Sequence, residues 1–403
     1  MQPPVKTNDG IRAWLPVIGL ALAAFVFNTS EFLPVGLLPE IAKSLHASVE
    51  HTGLVITGYA WVVSLMSLPM TVLTTKIERR RLLLILIACF AASHFLVLWA
   101  ETFMEFFASR ICVALTHSIF WSIMTPLAAR MAPRGKHAYG LAAVQGGTIV
   151  ATVLGVPIGT LLGQWFGWRE SFFIVGIAAT LVWVMVFATL PLAPSAQAGS
   201  LKSLPVILKR PGLIQLYILT AVTMLGQFTV YSFISPILQH VGGWPASEIA
   251  NVLFTFGIAG IIGTIIATKF VDRHLTATVI VPLLLITCAT MALVMTLNNS
   301  VLLYPTIVIW GSGMTAICMA YQSILLKVAG DAADVATSLY SGIFNIGIGG
   351  GAALGGFVAA QWGFGYINYT GSFFVGICAI TCIIIFMLTG HAILGMKSEK
   401  TRA

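Results

Sequence analysis

Charge is what this sequence has least of. Its 403 residues include 13 acidic and 21 basic side chains, 8% charged in all, where a soluble domain carries about 25%. Water could not solvate such a surface, which excludes a water-soluble enzyme, a secreted disulfide scaffold and a disordered hub. Cysteine is also scarce. Cys89, Cys112, Cys288, Cys318, Cys378 and Cys382 all lie inside apolar runs and read as small packing residues. Cys378 and Cys382 are one helical turn apart, but no His or carboxylate stands near enough in sequence to complete a metal site. There is no G-x-x-x-x-G-K-[ST] phosphate loop, which argues against work driven by the chain's own ATP hydrolysis. The lack of H-E-x-x-H and of a buried Ser/His/Asp cluster argues against a membrane enzyme, so no metal and no cofactor is expected.

What the chain has is apolar length: 58% of its residues are hydrophobic and its mean hydropathy is +0.96. A membrane-spanning helix needs about 20 apolar residues. Twelve runs qualify, at 13–38, 52–75, 82–100, 103–132, 138–165, 171–190, 213–239, 248–270, 276–297, 301–327, 335–362 and 366–390. The expected class is an all-α membrane protein of twelve transmembrane helices. The run after the polar segment MQPPVKTNDG has no small-residue cleavage site and contains Glu31, so it reads as a span rather than a signal peptide.

An even number of spans puts both termini on one side, and Lys and Arg decide which. With the N-terminus inside, 18 of the 21 basic residues fall in inner segments, Lys43 and Arg169 in outer loops, and Arg110 within a span. Both termini are therefore expected in the cytoplasm. The net charge of +8 then reflects topology rather than a nucleic-acid partner.

The longest inner connection, 191–212, carries four prolines and divides the chain into halves at 1–190 and 213–403. Its Leu201–Leu208 stretch is suited to lying on the membrane surface. The halves echo each other. Gln164-Trp165-Phe166-Gly167-Trp168 ends the fifth run and Gln361-Trp362-Gly363-Phe364-Gly365 ends the eleventh. Each precedes a Ser-Phe-Phe sequence, at Ser171 and at Ser372. Glu78-Arg79 after the second run matches Asp272-Arg273 after the eighth. Parallel repeats of this kind are a transporter architecture, with substrate handled near the midplane.

Ionisable residues inside spans are expensive and mark function. Glu31 lies deep in the first run, too far from either end to snorkel easily. Burial disfavours its charge and a nearby cation favours it, so a carboxyl balanced between the two is suited to carrying a proton. The other reading is a structural hydrogen bond to a neighbouring helix. In the fourth run Arg110, His117 and Trp121 share one stripe at a helical period. Arg110 matches Glu31 in depth, and His117 lies one to two turns deeper. Histidine titrates near neutrality, so Glu31 and His117 are candidates for a coupled pair tuned by Arg110. His94 in the third run has no such neighbours in sequence and reads as a packing residue.

A substrate chamber calls for scattered hydrogen-bonding groups among aromatics. Asn28, Tyr59, Trp121, Gln145, Gln227, Tyr231, Gln322 and Asn345, with Tyr321, lie inside spans. Each serves either a substrate or a neighbouring helix as interhelical glue. Tyr231 holds the place in the second half that Glu31 holds in the first. The glycines of the eleventh run and the Gly155/Pro157/Gly159 set in the fifth suit close helix packing and motion.

Several of these segments carry a family resemblance. They are Asn28–Gly36, Tyr59–Val63, Ser109-Arg110 through Ser122, Leu154–Gly159, Gly167-Trp168-Arg169 and Ser341–Gly349. On them the sequence resembles the major facilitator superfamily, within it the drug:proton antiporter type, and is most similar to bacterial sugar (arabinose) efflux transporters. Two motifs depart from the family's pattern. The loop G-x-x-x-D-R-x-G-R-R is here Lys76-Ile77-Glu78-Arg79-Arg80-Arg81, and G-P-x-x-G-G is replaced by Gly155-Val156-Pro157-Ile158-Gly159.

The resemblance implies a proton-coupled exporter of arabinose-like sugars or related small molecules, working by alternating access in a bacterial inner membrane. A multidrug:proton antiporter, or an importer or uniporter of the same fold, are the alternatives. Glu78, Arg79, Asp272 and Arg273, with Gly155, Pro157 and Gly159, would take gating roles. The expected partners are a small-molecule substrate, protons and membrane lipid, with the chain acting as a monomer.

Overall fold

The computed structural model describes residues 11–133, 135–194, 210–329 and 333–389. Twelve helices among them are long and apolar enough to cross a membrane. They are α1 Leu15–Ser44, α2 Val49–Leu73, α3 Arg79–Trp99, α4 Phe103–Met131, α5 Tyr139–Phe166 and α6 Trp168–Thr189. Then follow α7 Gly212–Val241, α8 Ala246–Phe270, α9 Leu275–Thr296, α10 Ser300–Ala329, α11 Val335–Trp362 and α12 Phe364–Leu388. No strand occurs among the described residues. Only helices satisfy every backbone group in hydrocarbon without an edge partner, short of closing a barrel. Most of the 191–212 connection, with its Leu201–Leu208 stretch, lies outside the described residues, as do Lys6, Arg134, Lys397, Lys400 and Arg402.

Local chemistry sets the helix ends. Thr102 and Glu105 form a reciprocal capping box that starts α4: Thr102 Oγ1 accepts from Glu105 N at 3.3 Å and Glu105 Oε2 accepts from Thr102 N at 2.9 Å. The two repeated Trp-Gly segments form equivalent turns. Gly167 (φ +112°) separates α5 from α6, and Gly363 (φ +90°) separates α11 from α12. Both angles exclude ordinary L side chains.

The described residues fall into two compact units, one drawn from 1–33 and 66–198, the other from 34–65 and 199–403. In the first, α5 lies against α1 with almost no side chain between them. A Cβ on Gly147 would strike the Ala21 carbonyl, one on Gly155 the Thr29 hydroxyl, and one on Gly159 a Leu33 methyl. A π-helical segment, Ala151–Gly155, passes into the helix that carries Pro157 near its start. Proline has no N–H to give, so the wider turn before it accommodates that loss.

The second unit repeats this packing 200 residues on. Gly347 meets the Ala221 carbonyl, Gly351 the Leu225 carbonyl, and Gly355 both the Thr229 carbonyl and the Phe233 ring. On another side of α11, Ser64 on α2 donates to the Gly342 carbonyl at 2.8 Å, and Trp61 covers Gly349. Small residues let backbones approach, which is how helices associate where lipid removes the hydrophobic drive.

The glycine contacts give a direct test. Gly155→Val forces a side chain into Thr29, and overpacking of this kind costs about 1–3 kcal/mol. Its melting temperature in detergent is expected to fall clearly below wild type. Gly146→Ala, whose Cβ meets nothing within 4 Å, is expected to leave it unchanged. Equal melting temperatures for Gly155→Val and wild type would contradict the packing described.

Candidate functional site

The polar residues of the first unit converge where α1, α3 and α4 meet. Phe27 on α1 lies between Phe90 on α3, with ring centroids 4.0 Å apart, and Phe120 on α4, at 3.9 Å. This aromatic stack sets the register of the three helices. One turn further along α1, Ser30 receives the guanidinium of Arg110, which is 1% exposed. Arg110 Nη1 donates to Ser30 Oγ at 2.9 Å and Nη2 to the Ser30 carbonyl at 2.8 Å. The face of Phe172 on α6 lies 5.3 Å from the same cation.

Ser30 Oγ also lies 2.7 Å from His94 Nε2, and His94 Nδ1 lies 2.7 Å from the Phe90 carbonyl. A carbonyl only accepts, so Nδ1 carries the proton and Nε2 accepts from the serine hydroxyl. His94 is fully buried. It has a partner, and through Ser30 it orients the atom that holds Arg110.

Glu31 is the next residue along α1. Its Oε2 lies 3.7 Å from His117 Nε2, with both side chains nearly excluded from solvent. The same nitrogen accepts from Trp121 Nε1 at 2.6 Å. The three residues expected to share a stripe on α4 have these partners. Arg110 serves Ser30, while His117 faces Glu31 and is bonded by Trp121. Asn28 donates to the Ala24 carbonyl at 2.9 Å and to Thr148 Oγ1 on α5 at 3.3 Å.

The remaining candidate ligands are spread over both units. Gln145 on α5 is exposed. In the second unit Trp310 Nε1 donates to Gln227 Oε1 at 2.7 Å, and Tyr231 packs with Phe256 and Trp310. Tyr321 pairs with Thr223 at 3.0 Å. Tyr59 is buried and Gln322 exposed. Asn345 donates to the Ser341 carbonyl at 3.0 Å, while its buried Oδ1 has no hydrogen-bond partner. The described residues contain no group of three His, Cys, Asp or Glu side chains placed to hold a metal ion.

The loop residues act as clasps. Glu78 caps α3 by accepting from Arg80 N at 2.9 Å and Arg81 N at 2.8 Å, and it also accepts from Ala193 N at 2.6 Å. Arg79 N donates to the Ala193 carbonyl at 2.9 Å, and Arg130 to the Pro194 carbonyl at 2.8 Å. The start of the central connection is thereby held beneath α3 and α4. Desolvation opposes the Glu78 charge, but the three backbone donors and Arg80 outweigh it and hold the carboxyl below its usual range. In the second unit Asp272 instead pairs with Lys327 across 2.9 Å at an exposed position, and Arg273 N donates to the Phe270 carbonyl at 3.1 Å.

Comparison with known proteins gives a consistent outcome. The family model described as Major Facilitator Superfamily matches residues 20–348. Among solved structures, the chain is similar to a bacterial homolog of the human lysosomal transporter Spinster in its inward-facing and occupied conformation. There the TM-score is 0.77 at 17% identity, covering 98% of this chain and 100% of that one. The unoccupied form of that homolog gives 0.72 at 15% identity, with 95% and 96% coverage. A point mutant of the nucleoside transporter NupG gives 0.73 at 13% identity, with 92% and 100% coverage.

Two outcomes follow from the geometry. Lysine cannot supply two donors in a fixed fork, so Arg110→Lys is expected to destabilise the protein. Combined with Ser30→Ala, the loss measured by thermal unfolding should be smaller than the sum by about 1–2 kcal/mol, the coupling of a charged hydrogen-bonded pair. Strict additivity would mean that the two do not interact. The Glu78 carboxyl sits below its usual range, so its stabilising effect is present above the unfolded value and lost as pH falls through the folded one. The stability gap between wild type and Glu78→Gln should therefore hold at neutral pH and close below about pH 4.

Proposed function

Because the chain belongs to the Major Facilitator Superfamily, we propose that it is a proton-coupled secondary transporter exporting small polar molecules by alternating access. Arabinose-like sugars are the first substrates to consider. Membership of this family makes it a transporter rather than an enzyme. The observation that carries the coupling is the approach of Glu31 Oε2 to His117 Nε2 at 3.7 Å inside the helix bundle. An acid and an imidazole at that distance can share one proton, and a carboxyl in such surroundings costs several kcal/mol unless neutralised or paired. Arg110, whose guanidinium donates to Ser30, supplies the nearby positive charge.

In this reading the chain sits in a bacterial inner membrane with both termini in the cytoplasm, as its basic inner loops favour. Its repeats at 1–190 and 213–403 are two six-helix halves joined by 191–212, and it acts as a monomer with protons and lipid as partners. Asn28, Tyr59, Trp121, Gln145, Gln227, Tyr231, Gln322 and Asn345 supply hydrogen bonds to substrate. Amides, phenols and indoles suit sugar hydroxyls. Glu78 and Arg79, with Asp272 and Arg273, tie the inner loops during gating. Gly155, Pro157 and Gly159 keep α5 close to α1 as it moves.

The test is arabinose flux in reconstituted vesicles. A pH gradient is expected to drive export through wild type, and Glu31→Gln should cut the gradient-driven component at least ~10-fold, the size of a lost obligatory interaction. Counterflow at equal pH should survive. Both activities unchanged in Glu31→Gln would end the coupling assignment. Flux in the opposite direction would make the protein an importer, and flux of hydrophobic cations in place of sugar would make it a multidrug antiporter.

A further inference from the structure

One nitrogen in the first unit serves two neighbours. A neutral imidazole has a single acceptor nitrogen, and in His117 that nitrogen is Nε2, which accepts from the Trp121 indole N–H at 2.6 Å. Glu31 Oε2 stands 3.7 Å from the same atom. A proton leaving Glu31 for His117 must use the lone pair that the indole occupies. The indole and the proton therefore exclude each other.

We propose that Trp121 is a proton latch, holding the proton on Glu31 until a substrate oxygen draws the indole N–H away from His117. The proposal rests on the reading of Glu31 as proton carrier. Trp121 can play this part because it is only half-buried, while its ring leans edge-on against Phe120 with centroids 5.3 Å apart. The ring keeps a support when its N–H changes partner. A sugar hydroxyl or a carbonyl oxygen can accept that N–H, whereas a hydrocarbon ligand cannot, so the latch selects for oxygen acceptors.

Once the indole has moved, the Glu31 Oε2–H bond breaks and an Nε2–H bond forms, leaving a carboxylate beside an imidazolium. The imidazolium then gives up its Nδ1 proton to water when alternating access opens the site. The net result is one proton released for one substrate engaged. The other titratable and charged groups at this junction are accounted for. Arg110 on α4 is held by Ser30, His94 on α3 is bonded to Ser30 and Phe90, and α6 presents the Phe172 ring.

Infrared difference spectroscopy on the purified full-length protein reads the state of the Glu31 carboxyl. On acidification, wild type is expected to show a protonated-carboxyl C=O band that Glu31→Gln removes. In Trp121→Phe, which keeps a ring against Phe120, the band should shift to lower wavenumber or vanish, because the acid now reaches Nε2. Replacing His117 by Leu in that background should restore it. A band unmoved by Trp121→Phe, or moved equally without His117, overturns the latch. Absence of any Glu31-dependent band in wild type overturns the carrier reading itself. Saturating arabinose should shift the wild-type band in the same sense. An unmoved band in protein that counter-transports arabinose would remove the ligand from the latch.

Discussion

A guanidinium cannot lose its charge, and Arg110 carries one into a bundle that leaves it 1% exposed. Groups on three helices answer that constraint. Ser30 offers both a hydroxyl and a carbonyl oxygen to the fork, His94 turns the hydroxyl so that its lone pair faces the cation, and Phe172 gives the ring face. The Phe27 stack holds the three helices in the register these bonds need. Beside Ser30 on the same helix, Glu31 stands 3.7 Å from His117.

The close approach of α1 and α5 gives α1 a firm base. Gly147, Gly155 and Gly159 remove the side chains that would hold the helices apart, and Thr148 reaches Asn28 across the gap. The second unit keeps the same packing 200 residues later, with Gly347, Gly351 and Gly355 against α7, but places Tyr231 where the first has Glu31. One scaffold thus supports an ionisable site in one copy and a neutral aromatic one, with Tyr231, Phe256 and Trp310 together, in the other.

Charge in an apolar run is rare enough to be conspicuous, which is why Glu31, Arg110 and His117 were legible before any coordinates. The twelve helices were legible for the same reason, from apolar length alone. Ser30 was not, because a small hydroxyl is ordinary in a span. His94 was not, because its partner depends on how α3 is set against α1, and spacing within one helix carries no information about that. Position in a run gives depth, but a helix that is apolar all round has too weak a polar stripe to reveal which way a side chain faces. The π-helical segment before Pro157 and the grip of Glu78 on Ala193 likewise depend on partners distant in sequence.

The central proposal is that ligand binding and proton loss are one event at Glu31. The direct measurement is proton release from purified protein in weakly buffered solution as a stabilising sugar or drug ligand is added. Wild type should release protons in step with ligand occupancy, and Glu31→Gln should bind the ligand and release none. Ligand bound by wild type with no change in bulk pH, or the same release from Glu31→Gln, would contradict it.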